Sequence, residues 1–594
     1  MGKKKKWSGK NSDKVRVFEK GTVIKTGKEL INIALVYPNT YQTGMSNLGF
    51  QSVYALFNSN DLIFCHRFFM PDRGRDKNLK LTSCETGIPL SSCDLIAFSV
   101  SFENDYINVV SMIKSSGIPP RTSDRDSSYP LIIAGGVACF LNPEPIAPFI
   151  DCFLLGESEQ MLPAFLDLFV SNTVISHKHL KKEIALNIKG AYIPEFYESF
   201  YDTDGNFLKT SPLCDRIPSK IAVQHTTTLD DIVTTTHILT TDTIFSDTFL
   251  IETGRGCHHG CRFCSAGFIY RPPRFYPEQS IINSINNAKE ITGKIGLVSA
   301  TVSDHPSINN ICASASISDS NSESSDRNIK ISFSSLRLDA LTDETIETLI
   351  KSSVKTATIA PEAGSQRMRN IINKKLNQEQ ILSAAQRLIE HGIMNLKLYY
   401  MVGLPFETDE DVIEIADLTK KIKDVFLEAS RKNRKIGTIT LSINPFIPKP
   451  STPFQWCKMD TLFNFKRKVD IIRDRLKKVA NIVIHIESPK TAMINSILSA
   501  GDRRTADMVE NPELLDKKIK ESKRREQKED VKNMMCGDAL LSEIDFNVPL
   551  PWDIIDTGIK KEFLIKELKR AAAEKTSPDC PMLDCSRCGI CMEL

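Results

Sequence analysis

Between residues 31 and 170, short apolar runs alternate with amphipathic stretches, a rhythm that predicts a parallel sheet covered by helices. Strands are expected at Ile31–Tyr37, Asp94–Val100, Leu131–Ala134 and Asp151–Leu155, and helices at Asn47–Asn58, Asn104–Ser116 and Glu159–Phe169. The strands are nearly continuous apolar runs, as burial on both faces requires. Ligands of such sheets sit beyond the carboxyl ends of the strands. That rule singles out the loops Pro38–Gly44 and Ser99–Glu103, the pair Gly135-Gly136, and the segment Gly156–Ser158. His66, in LIFCHRFF, follows an apolar run and is expected as a hydrogen-bonded histidine at the core edge.

From 171 to 248 the rhythm fades into a connector. Within it, GAYIPEFYESFYDTDGNFLKT predicts a hairpin turning at Thr203-Asp204-Gly205, because an Asp-Gly pair accepts the positive φ of a tight turn. The rhythm returns between 249 and 490, with strands expected at Phe249–Thr253, Ile295–Ala300, Lys330–Ser334, Val354–Ala360, Asn395–Val402, Thr438–Asn444 and Ile482–Ile486. Asn377 with Gln380 and Thr408 with Asp411 fit capping boxes, and Gly392 fits a helix C-cap. Six or so βα units predict an open, partial barrel. A Ser/Asn-rich tract, 309–328, reads as a disordered insertion. PFIPKPSTPFQW (445–456) reads as a lid or substrate wall, Asp502-Arg503-Arg504 as a surface turn or an anion site, and 516–533 as a solvated charged helix. Residues 1–28 form a basic, flexible N-terminus, and 491–594 a C-terminal extension.

At 594 residues the chain is long enough for three or four domains. With 76 basic and 73 acidic residues the net charge is +3, which excludes a nucleic-acid surface spread over the whole molecule. The start MGKKKKWSGK is not followed by the apolar stretch of a signal peptide, and no run approaches the roughly 18 apolar residues of a membrane helix, so a cytoplasmic protein is expected. Sixteen cysteines in such a chain point to metal ligands and buried thiols rather than disulfides.

Two groups of cysteines stand out. In TGRGCHHGCRFCSAG, Cys257, Cys261 and Cys264 are separated by three and then two residues, so they can hold three corners of one iron–sulfur cluster and leave one iron open. Structural zinc closes its fourth position with a nearby Cys or His, and His258 and His259, inside the first spacer, are expected to point away. CxxxCxxC with an aromatic residue, Phe263, before the last cysteine resembles the signature of the radical S-adenosylmethionine (SAM) superfamily. The flanks GRGC and CSAGFIYRPPRFY resemble a largely uncharacterised bacterial subgroup with an N-terminal cobalamin-binding-like domain.

The resemblance implies an α/β chain. A Rossmann-like domain at 29–170 would be followed by a partial (β/α)6 radical SAM barrel at 249–490 and a Cys-rich tail. It implies a [4Fe-4S] cluster whose open iron binds SAM, and one-electron cleavage of SAM to a 5′-deoxyadenosyl radical. Glu362 and Ser365 would contact the ribose and methionine parts of SAM, and Gly403 would lie against the adenine. Arg337 or Arg367 would pair with the methionine carboxylate. The usual Gly-Gly-Glu after the second strand is replaced by Ser299-Ala300-Thr301. Ser99 and Gly135-Gly136 fit a cobalamin nucleotide pocket, yet the loop TGMSNLG lacks the histidine of a DxHxxG motif, which weighs against cobalamin. Relatives suggest methyl or sulfur transfer to an RNA or ribosome-associated target, with an electron donor such as flavodoxin or ferredoxin. The rival is a non-catalytic iron–sulfur carrier, and no residue is assigned to the substrate chemistry.

The second group lies in the tail DCPMLDCSRCGICMEL, where Cys580, Cys585, Cys588 and Cys591 are separated by four, two and two residues. This spacing suits a second iron–sulfur cluster or a zinc ion, and a tail that folds back near the barrel.

Overall fold

The computed structural model describes residues 18–27, 29–71, 81–172, 176–316, 329–433, 436–526, 543–582 and 585–592. In the front domain β1 (Ile31–Thr40), β2 (Ile63–Met70), β3 (Leu95–Ser99), β4 (Leu131–Gly135), β5 (Cys152–Leu154) and β6 (Ala191–Tyr192) form one sheet in the order β2-β1-β3-β4-β5-β6. All pairings are parallel except that of β6. This is the doubly wound order of flavodoxin-like folds, whose switch point lies between β1 and β3. Alternate residues of one strand feed opposite cores: Val36, Phe98 and Ile132 meet Val109 on one face, while Leu35, Ala97 and Ile133 meet Phe50 and Phe165 on the other.

Two strands of this sheet, β2 and β6, are absent from the sequence prediction. In β2 the apolar pattern is broken by His66 and Arg67, which the fold buries. Arg67 is paired with Glu85 at 2.5 Å and Glu19 at 2.8 Å. His66 bonds Asn32 Oδ1 at 3.0 Å and Thr86 Oγ1 at 3.3 Å, the satisfied core histidine that was expected, and burial lowers its pKa to about 4. Glu19 also corrects the extent of the N-terminus. Glu19–Lys20 pairs antiparallel with Leu239–Thr240, so residues from 18 onward belong to the front domain, while 1–17 and 28 lie outside the described residues.

The barrel strands are β7 (Phe249–Glu252), β8 (Lys294–Val298), β9 (Lys330–Phe333), β10 (Thr356–Glu362), β11 (Asn395–Val402), β12 (Ile439–Pro445) and β13 (Ile482–Ile486). β7-β8-β9 form one parallel sheet and β10-β11-β12-β13 another, and among the described residues no ladder joins the two or closes the ring. All seven lie at predicted positions, one strand beyond the six-unit core. The capping box at Asn377 and Gln380 is present, and Thr408 exchanges bonds with Asp411.

The insertion reading needs correction in its first part. Ile308–Ser316 is a helix, because Ile308, Ile311, Cys312 and Ala315 recur at helical spacing and are buried with Ile285 and Val302. Residues 317–328 lie outside the described set. The Pro-rich segment is a packed wall: Phe454 and Trp456 are buried with Leu550 and Trp552, and Lys449 reaches Glu103 of the front domain at 2.8 Å. In Asp502-Arg503-Arg504, Arg503 is committed inside the fold, binding the buried Glu144 at 3.0 Å and Tyr192 Oη at 2.7 Å. The charged run belongs to the helix Pro512–Glu526, which buries Leu515 and Ile519 on one stripe; residues 527–533 lie outside the described set. The C-terminal extension thus wraps back over the front domain, and its Ile555–Asp556 pairs with Ile221–Ala222 of the connector.

Candidate cofactor site

The Cys257–Cys264 loop follows β7 and is framed by a short antiparallel pairing of Gly254–Arg255 with Arg274–Phe275. Gly256, at φ +82°, is required there, because a Cβ would lie 2.4 Å from the carbonyl oxygen of Tyr270. Cys261 is buried and Cys257 and Cys264 are partly so. Burial pushes the Cys257 thiol up to about 12 and the Cys264 thiol up to about 11, and in each case a neighbouring thiol of the motif adds to the effect. The thiols therefore face a common space. Among the described residues, the only three ligand-type side chains with donor atoms within 4.8 Å of one another are His258, His259 and Asp579. Three thiols on one loop supply three of the four corners of a four-iron cluster, so this donor set fits one.

The loop is anchored by a side chain that sequence reading did not single out. Arg262 is fully buried. Its guanidinium donates to the carbonyls of Ile371 at 2.7 Å and Lys575 at 2.8 Å, and pairs with Glu567 at 3.1 Å. Asn373, itself at positive φ, donates to the carbonyl of Gly260 at 2.9 Å. Burial raises the Cys261 thiol against the pull of Lys374, Arg337 and Lys375, with Glu362 opposing them. Lys374 pairs with Glu362 at 3.2 Å. These lysines follow a buried helix in the segment IINKK, where Asn373 and Lys375 adopt positive φ; the polar break after an apolar helix is the signal that could have found them.

Of the residues implied as SAM contacts, Glu362 lies at the end of β10 at φ +65°, and Arg337 lies after β9, paired with Asp339 at 2.8 Å. Phe263 packs, half-buried, beside Phe268 and Met368. The other three are engaged in holding strand ends. The Ser365 hydroxyl accepts from the Met368 amide at 3.0 Å and donates to Asp411 at 2.6 Å. Arg367 pairs with Asp411 at 2.6 Å and Glu574 at 2.7 Å. Gly403, at φ +84°, donates its N–H to Glu407 at 2.8 Å, and a Cβ there would lie 2.8 Å from the Asp460 side chain. At the Ser299-Ala300 segment, Ser335 Oγ lies 3.0 Å and 2.9 Å from the two carbonyl oxygens.

A cavity of about 440 Å³ opens between the carboxyl ends of the two sheets. On the front-domain side it is lined by Asn47, Gly49, Ser99, Ser101, Gly135 and Gly136, and on the barrel side by Gly254, Arg255, Gly256, Ser299 and Ala300. Three of the four front-domain segments picked from the sequence contribute to it; Pro38–Gly44 does not. Ser52, deeper in the cavity, has a buried hydroxyl without a hydrogen-bond partner. An ion cluster clamps the junction: Glu157 binds Arg274 at 2.6 Å and Arg255 at 2.8 Å, and Arg255 also binds Glu159 at 2.7 Å. Burial disfavours the Glu157 carboxylate, yet His225, Arg274 and Arg255 hold its pKa well below the usual range.

The tail reaches this loop. The Cys580 amide donates to the carbonyl of His258 at 2.8 Å. His259 is taken up between Asp304 at 2.8 Å and Asp579 at 3.1 Å, which leaves it no lone pair for a metal shared with the cysteines.

Comparison with known proteins agrees with this geometry. Residues 251–419 match the family model described as the radical SAM superfamily, and residues 49–194 the one described as radical SAM proteins, N-terminal. An uncharacterized protein of Methanocaldococcus jannaschii, MJ0966, is 29% identical over 503 residues, covering 84% of this chain and 95% of its own. Among solved structures, the radical SAM methyltransferase TsrM from Kitasatospora setae, with cobalamin and a [4Fe-4S] cluster bound, aligns at a TM-score of 0.49 and 10% identity, covering 83% of this chain and all of that one (100%). The cobalamin-dependent radical enzyme OxsB aligns at 0.41 and 16% identity, covering 66% of this chain and 52% of its own. At these scores the structural likeness carries no functional argument.

Proposed function

Because this chain belongs to the radical SAM superfamily and is an enzyme of that kind, we propose that it reductively cleaves SAM at a [4Fe-4S] cluster held by Cys257, Cys261 and Cys264. The observation that supports this reading is the presentation of three thiols of one CxxxCxxC loop, Cys257, Cys261 and Cys264, at the first strand end of an open parallel barrel. When bound, the cluster and SAM supply, with one electron from a donor, a 5′-deoxyadenosyl radical able to remove hydrogen from an unactivated carbon. The chain's own residues bind and shield. Arg337, the guanidinium whose charge reaches Cys261, takes the methionine carboxylate by exchanging it for Asp339, whereas Arg367 is tied to both Asp411 and Glu574. The Ala300 carbonyl accepts from the SAM amine where a Gly-Gly-Glu is missing, since the Ser299 carbonyl already accepts from the Ser334 and Ser335 hydroxyls. Glu362, held by Lys374, accepts from the ribose hydroxyls.

The missing histidine weighed against cobalamin, yet the cavity on the front-domain side would hold a corrinoid as a second cofactor. Its position at the switch point of a doubly wound sheet, its Ser and Gly lining and the unpartnered Ser52 hydroxyl suit the nucleotide tail of such a ligand. A corrinoid carries methyl groups, which favours methyl over sulfur transfer; the acceptor class remains the RNA or ribosome-associated target that the resemblance implies. The test is direct. Anaerobically reconstituted protein with dithionite and SAM should release 5′-deoxyadenosine, and a complete lack of product would favour the cluster carrier instead. Methyl loss from RNA of a deletion strain, read by mass, tests the acceptor.

A further inference from the structure

We infer that Cys580, Cys585, Cys588 and Cys591 hold a second iron–sulfur cluster, docked on the Cys257 loop to pass it electrons. Four thiols within about a dozen residues suffice to enclose one metal centre. The fold gathers them: Arg587 Nε approaches Cys585 Sγ at 3.4 Å, while its Nη2 donates to the Asp579 carbonyl at 2.6 Å, closing the loop on itself. Gly589, at φ +104°, turns the chain against Lys560, whose amide donates to the Cys588 carbonyl at 2.9 Å. The Cys591 thiol lies 3.9 Å from the Met582 carbonyl, so the last cysteine folds back over the start of the loop. The run Cys585, Cys588 and Cys591, with two residues between successive cysteines, has the spacing of ferredoxin cluster loops, which favours a multi-iron occupant over zinc.

The docking gives the cluster its role. The Cys580 amide donates to the His258 carbonyl at 2.8 Å, and His258 is the residue next to Cys257. One hydrogen bond therefore links a ligand of the tail centre to the backbone beside a ligand of the central loop. Asp579 adds contacts to His259 at 3.1 Å and Lys375 at 2.5 Å, and Arg262 adds one to Ser577 at 3.1 Å. Cys261 is buried, whereas Ser586 and Arg587 are exposed, so a protein donor meets the tail centre first. A one-electron donor of the flavodoxin or ferredoxin class would reduce the tail cluster from the 2+ to the 1+ state. The electron would then reduce the central cluster from 2+ to 1+ and return the tail cluster to 2+, with no bond made or broken. This role rests on the proposed function of the central loop; the cluster itself does not.

Iron counting and donor choice test both parts on the full chain. After anaerobic reconstitution the protein should hold about eight irons, the Cys585→Ala/Cys588→Ala/Cys591→Ala variant about four, and the Cys257→Ala/Cys261→Ala/Cys264→Ala variant about four, with one reducible paramagnetic cluster. Four irons and one zinc in the intact chain, or an iron-free Cys257/Cys261/Cys264 variant, would overturn the cluster. For the relay, the tail variant should lose at least about tenfold of flavodoxin-driven 5′-deoxyadenosine release while its dithionite-driven release stays within about twofold of the intact chain. Equal losses with both donors, or none with flavodoxin, would overturn the relay. An intact chain with eight irons that cleaves no SAM would refute the proposed function and leave the tail cluster standing.

Discussion

The front sheet and the β7-β8-β9 sheet of the barrel present their carboxyl ends to one cavity and build those ends differently. On the front domain the ends are small and mostly neutral, Ser99, Ser101, Gly135 and Gly136, with an unpartnered hydroxyl at Ser52 behind them. On the barrel side the lining is Gly254, Arg255, Gly256, Ser299 and Ala300, and the cysteine loop that follows β7 sets Cys261 near Arg337, Lys374, Lys375 and Glu362. The first surface offers close backbone approach to a bulky ligand, and the loop beside the second offers charges that would orient a zwitterion. Glu157 with Arg255 and Arg274 clamps the join between the two surfaces.

Changes on the barrel side should have the largest effects. Cys261→Ala should abolish 5′-deoxyadenosine formation outright, measured by chromatography under dithionite; retained full activity would remove the barrel half of the contrast. Next comes Arg262→Ala, which strands the buried Glu567 carboxylate and three backbone carbonyls. A loss of about 3–5 kcal/mol in denaturant unfolding is expected, and it should carry the tail away from the loop, seen as faster proteolysis after Lys575.

The clamp between the two surfaces should be pH-sensitive. The Glu157 pKa is lower in the fold than in the unfolded chain, so its stabilisation is complete above the unfolded carboxylate range, near about 4.5, and is lost as pH falls toward the folded value. Glu157→Gln should lower stability at neutral pH by about 3 kcal/mol and flatten the acid limb of a melting-temperature profile. An unchanged acid limb would assign the clamp to other groups.

Front-domain changes should be smaller and directed at the ligand. Gly136→Ala forces a Cβ to 2.5 Å from the Val100 carbonyl oxygen at φ +104°, whereas Gly392→Ala, at φ +100°, meets nothing within 4 Å. The second change should cost about 1 kcal/mol of backbone strain and the first clearly more. Smallest of all, Ser52→Ala removes a buried hydroxyl that has no partner, so stability should hold or rise by about 1 kcal/mol. The same change should weaken cobalamin binding in a spectroscopic titration; unaltered binding would place the nucleotide elsewhere.

Several features were legible along the chain because they are local. The seven barrel strands, the capping box at Asn377 and the helix Leu48–Ser59 follow from spacing that neighbouring residues fix. The cysteine motif is local too, since spacing within one loop limits what its thiols can share. Strand β2 was missed because Arg67 breaks its apolar run, and only Glu85 and Glu19, distant in sequence, make that charge acceptable inside. Arg367, Ser365 and Gly403 were given cofactor contacts that Asp411, Glu574 and Glu407 now contest, and those partners come from other elements.

By itself, then, the sequence determined most of the strands and helices and the spacing of the two cysteine groups, because periodicity and short loops act over a few residues. Only the tertiary structure decided which charges surround Cys261, that the tail lies on the cysteine loop through Cys580 and Asp579, and that the two sheets share a cavity. Those facts depend on contacts between residues hundreds of positions apart, which burial and charge pairing select and no local pattern encodes.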